Sequence, residues 1–228
     1  MSYKPSSAPG AEPQAISSER RPLSYYITDR RALPSPDEAS LLAIVRRTLA
    51  RGVDFIQVRE KDLSDRRLFE LARRVAELAR EAARRRGGGP RCKVLVNGRA
   101  DIALAAGADG VHLPSSGLGV REVRAWVPKD FLVGASVHSL REVRAAREGG
   151  ADYVLVGHVF PTASKEGMGP ALGLGFLRRA VACAASPKSS APAVQVLALG
   201  GVTSERVPAV LDAGADGFAG ISLFQAAP

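Results

Sequence analysis

The 228-residue sequence is poor in the side chains that build disulfide scaffolds and metal sites. It has two cysteines, Cys92 and Cys183, and three histidines, His112, His138 and His158. Two cysteines are too few for a disulfide framework, and neither they nor the histidines show metal-ligand spacing. The sequence therefore predicts free thiols in a reducing compartment and no metal site.

Long apolar runs are also missing. No run approaches the roughly 20 residues of a membrane-spanning helix, and the N-terminus has no apolar signal core. We therefore expect a cytoplasmic protein that does not bind membranes. Residues 1–22 are rich in Pro, Ser and Ala without periodicity, which predicts a flexible tail ahead of one domain at 23–228.

Positive charge is abundant, with a formal net charge of +9. Residues 64–91 hold nine arginines against four acids, and their apolar positions recur at helical spacing. This pattern indicates the solvated face of an amphipathic helix. Because no aromatic interleaving or helix-turn-helix pattern accompanies it, nucleic-acid binding is disfavoured and an anionic small ligand is the simpler partner.

Short apolar runs alternate with helical patterns along the rest of the chain. The eight runs span 24–29, 54–60, 93–97, 109–113, 131–137, 152–159, 194–201 and 216–223. Runs two, four, six and eight each follow a Gly-(Ala/Val)-Asp segment, which is typical of a helix C-cap and strand entry. The α/β pattern predicts a closed TIM (β/α)8 barrel in a single domain, with a doubly wound open sheet as the alternative. Since the chain ends five residues after the last run, we expect a reduced eighth helix of one turn, or an N-terminal tail that covers the gap.

In such a barrel the candidate site residues stand at the carboxyl ends of the strands. Those that the strand list selects include Gln57, Arg59, Lys61, Asn97, His112, Ser136, His138, His158, Lys165, Gly200, Gly201, Gly220, Ile221 and Ser222. The loops after runs seven and eight carry the glycines, and such loops commonly bind a phosphate through backbone amides. The alternative is that Gly200 and Gly201 only form a tight turn.

The charged candidates allow two interpretations each. Arg59 alternates with Gln57, so both point into the barrel top, where a buried arginine needs an anion. That anion is either a ligand or an internal acid such as Glu60 or Asp101. Lys165, within a glycine-containing loop, either closes on an anion or is solvated.

His138 stands between the fifth run and the helix cap Ser139, where a histidine either exchanges a proton with a ligand or is satisfied by backbone groups. His112 and His158 are expected within strands four and six as interior fillers or donors.

Several segments of the chain resemble the thiamin phosphate synthase/TenI family from about residue 24 to 224. They read ITD (27–29), QVREK (57–61), NGRADIAL (97–104), GVHL (110–113), SVHS (136–139), ADYVLVGHVFPTASKEG (151–167), GGV (200–202) and GADG…GIS (214–222). The resemblance implies a TIM barrel that binds the phosphorylated thiazole of thiamin biosynthesis, and a homodimer.

Two activities occur in that family, and the sequence carries features of both. Synthases join an aminopyrimidine diphosphate to thiazole phosphate, and two carboxylates hold their Mg²⁺. Here Gly98 stands at the first carboxylate position, and residues 114–120 contain no acid. Yet Gln57, Lys61 and the 162–165 loop, with Thr162 and Lys165, resemble the synthase.

The motifs NGR, LPS, SVHS and GHVF resemble the TenI branch, whose members are thiazole tautomerases that use the histidine of SVHS as proton carrier. The sequence therefore predicts an isomerase with His138 as its catalytic residue and no cofactor. Its predicted substrate-binding residues are Gln57, Arg59, Lys61, Asn97, Ser136, Thr162, Lys165, Gly200, Gly201, Gly220, Ile221 and Ser222. The alternatives are a thiamin phosphate synthase, which would need Mg²⁺, and a non-catalytic regulatory protein that binds thiazole phosphate.

Overall fold

The computed structural model describes residues 21–88, 90–162, 169–185 and 191–226. Across these residues eight parallel strands close into a barrel in chain order, as predicted. The strands are Leu23–Ile27 (β1), Phe55–Val58 (β2), Lys93–Asn97 (β3), Gly110–Leu113 (β4), Leu132–Val137 (β5), Tyr153–Gly157 (β6), Gln195–Leu199 (β7) and Gly217–Gly220 (β8). The predicted tail lies outside the described residues except for its last two positions.

One α-helix follows each strand in the described part of the chain. The helices are Glu38–Ala50 (α1), Asp65–Arg85 (α2), Ala100–Ala105 (α3), Val120–Arg124 (α4), Leu140–Glu148 (α5), Gly173–Ala184 (α6), Val207–Asp212 (α7) and Ser222–Gln225 (α8). Ser64 and Ser139 cap α2 and α5 by accepting a backbone N–H three residues on, which is the usual role of serine at these positions. None of these helices is both long enough and apolar enough to cross a membrane.

The barrel closes with only a short final helix, which contacts α1 and β1. β8 pairs with β1 in parallel, and α8 is a single turn, so the reduced eighth helix is confirmed. The Nη2 group of Arg47 donates to the carbonyl oxygens of Phe224 and Ala226, at 2.9 and 3.0 Å. The Phe224 ring packs on Tyr26, with 5.5 Å between the ring centroids.

The four Gly-x-Asp segments perform the same structural task in each repeat. Their glycines, Gly52, Gly107, Gly150 and Gly214, all have positive φ values, between 64° and 88°, as expected where helices end. Each aspartate accepts a backbone N–H from the strand before it, in the pairs Asp54–Ser24, Asp109–Val94, Asp152–Val133 and Asp216–Val196. The repeat thus ties four pairs of neighbouring strands together at the amino end of the barrel.

The hydrophobic core has two layers. One lies between the strands and the helices and includes the buried face of α2, Leu68 to Ala79. The arginines of α2 lie on the opposite side, where Arg66 and Arg73 pair with acids one turn later. The second layer fills the barrel interior with Tyr25, Phe55 and other side chains, and so forms the floor beneath the carboxyl end.

Candidate active site

The predicted site residues meet around one cavity of about 640 Å³ at the carboxyl end of the barrel. Because parallel strands all end on the same side, residues distant in sequence converge there. The predicted residues that line it are Gln57, Arg59, Lys61, Asn97, Ser136, His138, Thr162, Gly200, Gly201, Gly220, Ile221 and Ser222. Lys165 lies outside the described residues. The roles assigned to these side chains stay predictions.

Arg59 is a candidate for anion binding because the nearby acids are engaged elsewhere. Buried Glu60 accepts from the Nη1 group of Arg30 at 3.0 Å. Asp101 accepts from the Nη2 group of Arg99 at 2.7 Å. Within the described part of the chain, the Arg59 guanidinium makes no hydrogen bond or ion pair, so its charge is available to a ligand in the cavity.

Arg206 is a further cation at the cavity, and sequence reasoning missed it. It ends the 3-10 turn Ser204–Arg206, directly after the Gly200–Gly201 loop. Its Nη1 group donates to the carbonyl oxygen of Gly201 at 2.6 Å, and its guanidinium carbon lies 4.8 Å from the Phe160 ring centroid. In the sequence, the only feature that could have indicated this role is a basic residue shortly after the Gly200–Gly201 pair.

Gly200 and Gly201 are required by packing as well as by backbone conformation. Their φ values are +91° and +64°, a region that favours glycine. A Cβ on Gly200 would lie 2.3 Å from Cβ of His158, and one on Gly201 would lie 2.7 Å from the Pro161 carbonyl oxygen. His158 lies one residue beyond β6 rather than within the sixth strand as expected. The loop is therefore a tight turn that also lines the cavity.

The loop after β8 is more open. A Cβ on Gly220 would meet the Leu223 Cβ at 3.3 Å, and Gly220 has no positive φ. Ile221 and Ser222 continue the cavity wall into α8. This loop and Gly201 therefore border the same cavity, which suits a phosphate held between the seventh and eighth strands.

His138 lies on the rim of the cavity rather than in its depth. Its side chain is 44% exposed, and its Nδ1 atom lies 3.6 Å from Oε2 of Glu142. The same carboxylate accepts the backbone N–H of His138 at 2.5 Å. Backbone and side chain of His138 thus both face the acid of the α5 cap.

Aromatic rings pack in the barrel interior beneath the cavity. The centroids of Tyr25, Phe55 and Tyr153 lie between 5.4 and 5.7 Å from one another. The hydroxyl of Tyr25 donates to Gln57 Oε1 at 3.1 Å, and that of Tyr153 lies 3.1 Å from Nδ1 of His112. Sequence reasoning missed both tyrosines, because an aromatic residue within a strand is ordinarily core.

The residues present do not fit the magnesium site that the resemblance implies for synthases. At the first carboxylate position, Gly98 has a φ of +69°, and a Cβ placed there would lie 3.6 Å from Cδ of Pro114. The two regions are therefore adjacent in space but supply no carboxylate. Asp101 and Asp65 both pair with Arg99, which lowers the pKa of Asp101. No group of three potential ligands occurs among the described residues.

Known proteins match this chain over most of its length. A family model described as thiamine monophosphate synthase matches residues 24–224. A thiamine-phosphate synthase of Methanoculleus marisnigri is 42% identical over 202 residues, which are 87% of this chain and 85% of that protein. One of Methanospirillum hungatei is 36% identical over 204 residues, 90% of each chain. A solved thiamine phosphate pyrophosphorylase from Pyrococcus furiosus superimposes with a TM-score of 0.71, at 33% identity over 90% of this chain and 88% of that one.

These relatives contradict the predicted thiazole tautomerase, because they are named for the synthase, the alternative reading. The prediction rests on four motifs of three or four residues and on the missing carboxylates around Gly98 and Pro114, whereas the relatives match about 200 residues. None of these comparisons tests the catalytic role of His138, which stays a prediction. The homodimer and the lack of nucleic-acid binding stay predictions.

Proposed function

Because the chain belongs to the thiamine monophosphate synthase/TenI family, we propose that it is a thiamine-phosphate synthase. As a transferase it would join an aminopyrimidine diphosphate to thiazole phosphate and release pyrophosphate. The observation that carries the proposal is one cavity lined by three cations, Arg59, Lys61 and Arg206, and by two glycine-containing loops. Two phosphorylated substrates need such a surface.

The chemistry explains why cations matter more than a base. The thiazole nitrogen attacks the pyrimidine methylene carbon, so a C–N bond forms and the C–O bond to the diphosphate breaks. The electron pair of that bond leaves with pyrophosphate, whose growing negative charge fixed cations stabilise. Since the attacking nitrogen carries a lone pair and no proton, the step requires no general base.

We assign each cation to one of the two substrates by its position in the cavity. Arg206 is held at the carbonyl oxygen of Gly201, so it adjoins the loops assigned to thiazole phosphate. Arg59 follows β2, close to Gln57 and Asn97, and is assigned to the diphosphate with Lys61. Lys165, by its place in the sequence, is a further candidate for the diphosphate.

The amide side chains, together with Ile27, Leu155 and Leu199 of the cavity lining, are assigned to the pyrimidine ring. Gln57 donates through Nε2 to Asn97 Oδ1 at 2.9 Å, and both line the cavity. Planar polar rings are bound by such apolar walls with a few placed hydrogen-bonding groups. No step is assigned to Mg²⁺, because the donor residues do not fit it.

The test is the reaction itself. Purified protein is supplied with aminopyrimidine diphosphate and thiazole phosphate, with and without Mg²⁺, and thiamin phosphate and pyrophosphate are measured together. We expect both products in equal amounts, and a large loss for Arg59→Ala. The matched control is Arg144→Ala, on the exposed side of α5. Thiazole phosphate binding without either product, under all conditions, would instead favour the regulatory protein.

A further inference from the structure

A continuous hydrogen-bonded chain crosses the barrel beneath the cavity. At one end the Nε2 group of Gln57 donates to Asn97 Oδ1 at 2.9 Å. The hydroxyl of Tyr25 donates to Gln57 Oε1 at 3.1 Å. The hydroxyls of Tyr25 and Tyr153 lie 2.9 Å apart. These four side chains come from β1, β2, β3 and β6, so the chain spans the barrel rather than following one strand.

The hydrogen-bonded chain continues from Tyr153 through the buried His112 of β4 to Ser136 of β5. Nδ1 of His112 lies 3.1 Å from the Tyr153 hydroxyl, and Nε2 lies 2.8 Å from Oγ of Ser136. His112 is only 2% exposed. Burial, followed by the nearby charge of Arg59, lowers the pKa of His112 to about 3. The ring is therefore neutral at pH 7, with one protonated nitrogen and one lone pair.

The number of protons available determines which group donates in each of these hydrogen bonds. A tyrosine hydroxyl has one proton, and Tyr25 gives its own to Gln57 Oε1. Tyr153 must then donate to the oxygen of Tyr25. Having used its only proton, the Tyr153 hydroxyl can only accept from His112, so Nδ1 of His112 carries the ring proton.

The two ends of the hydrogen-bonded chain differ: one can only accept a hydrogen bond from a ligand, and the other can donate one. Since Nε2 of His112 holds a lone pair, it accepts the hydroxyl proton of Ser136, and Ser136 Oγ can only accept from a ligand. At the other end Asn97 Oδ1 is occupied by Gln57, and Asn97 Nδ2 makes no hydrogen bond with any residue that the structure describes. Both residues line the cavity, which therefore has an acceptor on β5 and a donor on β3, the two strands that flank β4.

Packing against β5 holds Tyr153 in its place in the hydrogen-bonded chain. A Cβ on Gly134, in the neighbouring strand β5, would lie 1.9 Å from Cζ of Tyr153. Only glycine leaves room for the ring there. The ring also stacks on His112, with 5.8 Å between the centroids, so the hydroxyl is held between Tyr25 and His112.

We infer that Tyr25, Tyr153 and His112 are positioning residues that set the hydrogen-bond polarity of the cavity, with Ser136 as acceptor and Asn97 as donor. This inference rests on the proposed function for its substrate. An aminopyrimidine offers both matching groups, an amine that donates and ring nitrogens that accept. A ring with a hydrogen in place of the amine leaves Ser136 unpaired, and such a loss weakens binding about 10- to 100-fold.

The first test reads the proton position directly and needs no substrate. In ¹⁵N-labelled protein the imidazole nitrogens of His112 are assigned by comparison with His112→Gln; the sequence has three histidines, which keeps the spectrum simple. We expect a protonated Nδ1 and an unprotonated Nε2 at pH 7. A ring protonated on Nε2, or on both nitrogens, would overturn the inference, whatever reaction the protein catalyses.

The second test uses Tyr153→Phe, which removes the hydroxyl and keeps the ring. Dissociation constants are measured for aminopyrimidine diphosphate, for its analogue without the amine, and for thiazole phosphate. We expect the roughly 10- to 100-fold preference for the amine to shrink to a few-fold, with thiazole phosphate affinity unchanged. The matched control is Tyr26→Phe, which removes a buried hydroxyl outside the chain, bound to Gln225 at 3.2 Å, and keeps the preference.

The outcomes separate the two proposals. An unchanged amine preference in Tyr153→Phe, with the wild-type His112 tautomer retained, would overturn the positioning role. A protein that shows the expected tautomer but makes no thiamin phosphate would contradict the proposed function alone. If Tyr153→Phe lost affinity for all three ligands, the hydrogen-bonded side chains would only support the fold. That result would also overturn the inference.

Discussion

The carboxylate of Asp216 accepts a hydrogen bond from the backbone amide of Val196, with Oδ2 2.8 Å from the nitrogen. Asp216 precedes β8 and Val196 lies near the start of β7, so the bond joins neighbouring strands at the amino end of the barrel. The other three Gly-x-Asp segments form equivalent bonds. The cavity is at the opposite end, so stability and ligand binding can be tested separately.

Replacing Asp216 by alanine removes this carboxylate and leaves a buried amide short of an acceptor. We expect Asp216→Ala to lower the free energy of unfolding by about 1–3 kcal/mol, measured by urea denaturation, with thiazole phosphate affinity unchanged. Asp130→Ala, at an exposed position, is the control and should change stability by less than about 0.5 kcal/mol. Equal effects of the two variants would show that the bond between Asp216 and Val196 adds nothing to stability.

The glycine loops differ in what an added methyl group would meet. In Gly200→Ala the new Cβ would lie 2.3 Å from Cβ of His158, on a backbone with a φ of +91°. We expect a loss of about 2–4 kcal/mol of stability together with weaker thiazole phosphate binding. Gly220→Ala meets only Leu223, at 3.3 Å, and should lose less than about 1 kcal/mol. Thermal denaturation of the pair decides this, and similar losses would contradict the packing argument.

Arg206 tests whether the phosphate lies at the loop after β7. Arg206→Gln keeps a polar side chain but removes the charge, and we expect thiazole phosphate to bind about 10-fold more weakly. Aminopyrimidine diphosphate should bind nearly as before. Calorimetric titration of both ligands measures the difference. If the diphosphate were the more strongly affected ligand, the assignment of the two substrates would have to be reversed.

The lack of carboxylates at Gly98 and Pro114 predicts that the ligand-free protein has no saturable Mg²⁺ site. Calorimetric titration of the metal tests this without any assay of activity. The double variant Gly98→Asp/Pro114→Asp places two carboxylates at adjacent positions and should gain binding, at a cost of about 1–2 kcal/mol for the left-handed backbone at residue 98. Saturable binding by the wild type would show that other residues hold the metal.

The buried His112 predicts a pH-dependent stability. Its pKa is about 3 in the folded protein and about 6.5 when exposed, so between these values the unfolded chain binds the extra proton. Stability from this group is complete above pH 6.5 and is lost as the pH falls towards 3, by up to about 1.4 kcal/mol per pH unit. Urea denaturation of wild type and His112→Asn should therefore give converging stabilities at low pH. Parallel curves would mean that His112 does not titrate in this range.

Local patterns in the sequence were sufficient to predict the barrel. Apolar runs of strand length, the helix caps Ser64 and Ser139, and the glycines with positive φ are each decided by residues within one turn or one strand. The end of the chain soon after the eighth run likewise implied the single-turn α8. Because all parallel strands end on one side, the same strand list also placed most of the cavity-lining residues.

Pairings across the barrel could not be predicted, because they depend on register and on which acids are already engaged. Glu60 was a possible partner of Arg59 in sequence, but the fold gives it to Arg30. His138 stood out as the residue at a strand end, yet it lies on the rim, while the buried His112 joins Tyr153 to Ser136. Short motifs also pointed to the wrong branch of the family.

The sequence by itself determined the barrel and the edge that carries the cavity, since both follow from local periodicity. Only the tertiary structure decided which side chains meet there, since those contacts join residues from different strands.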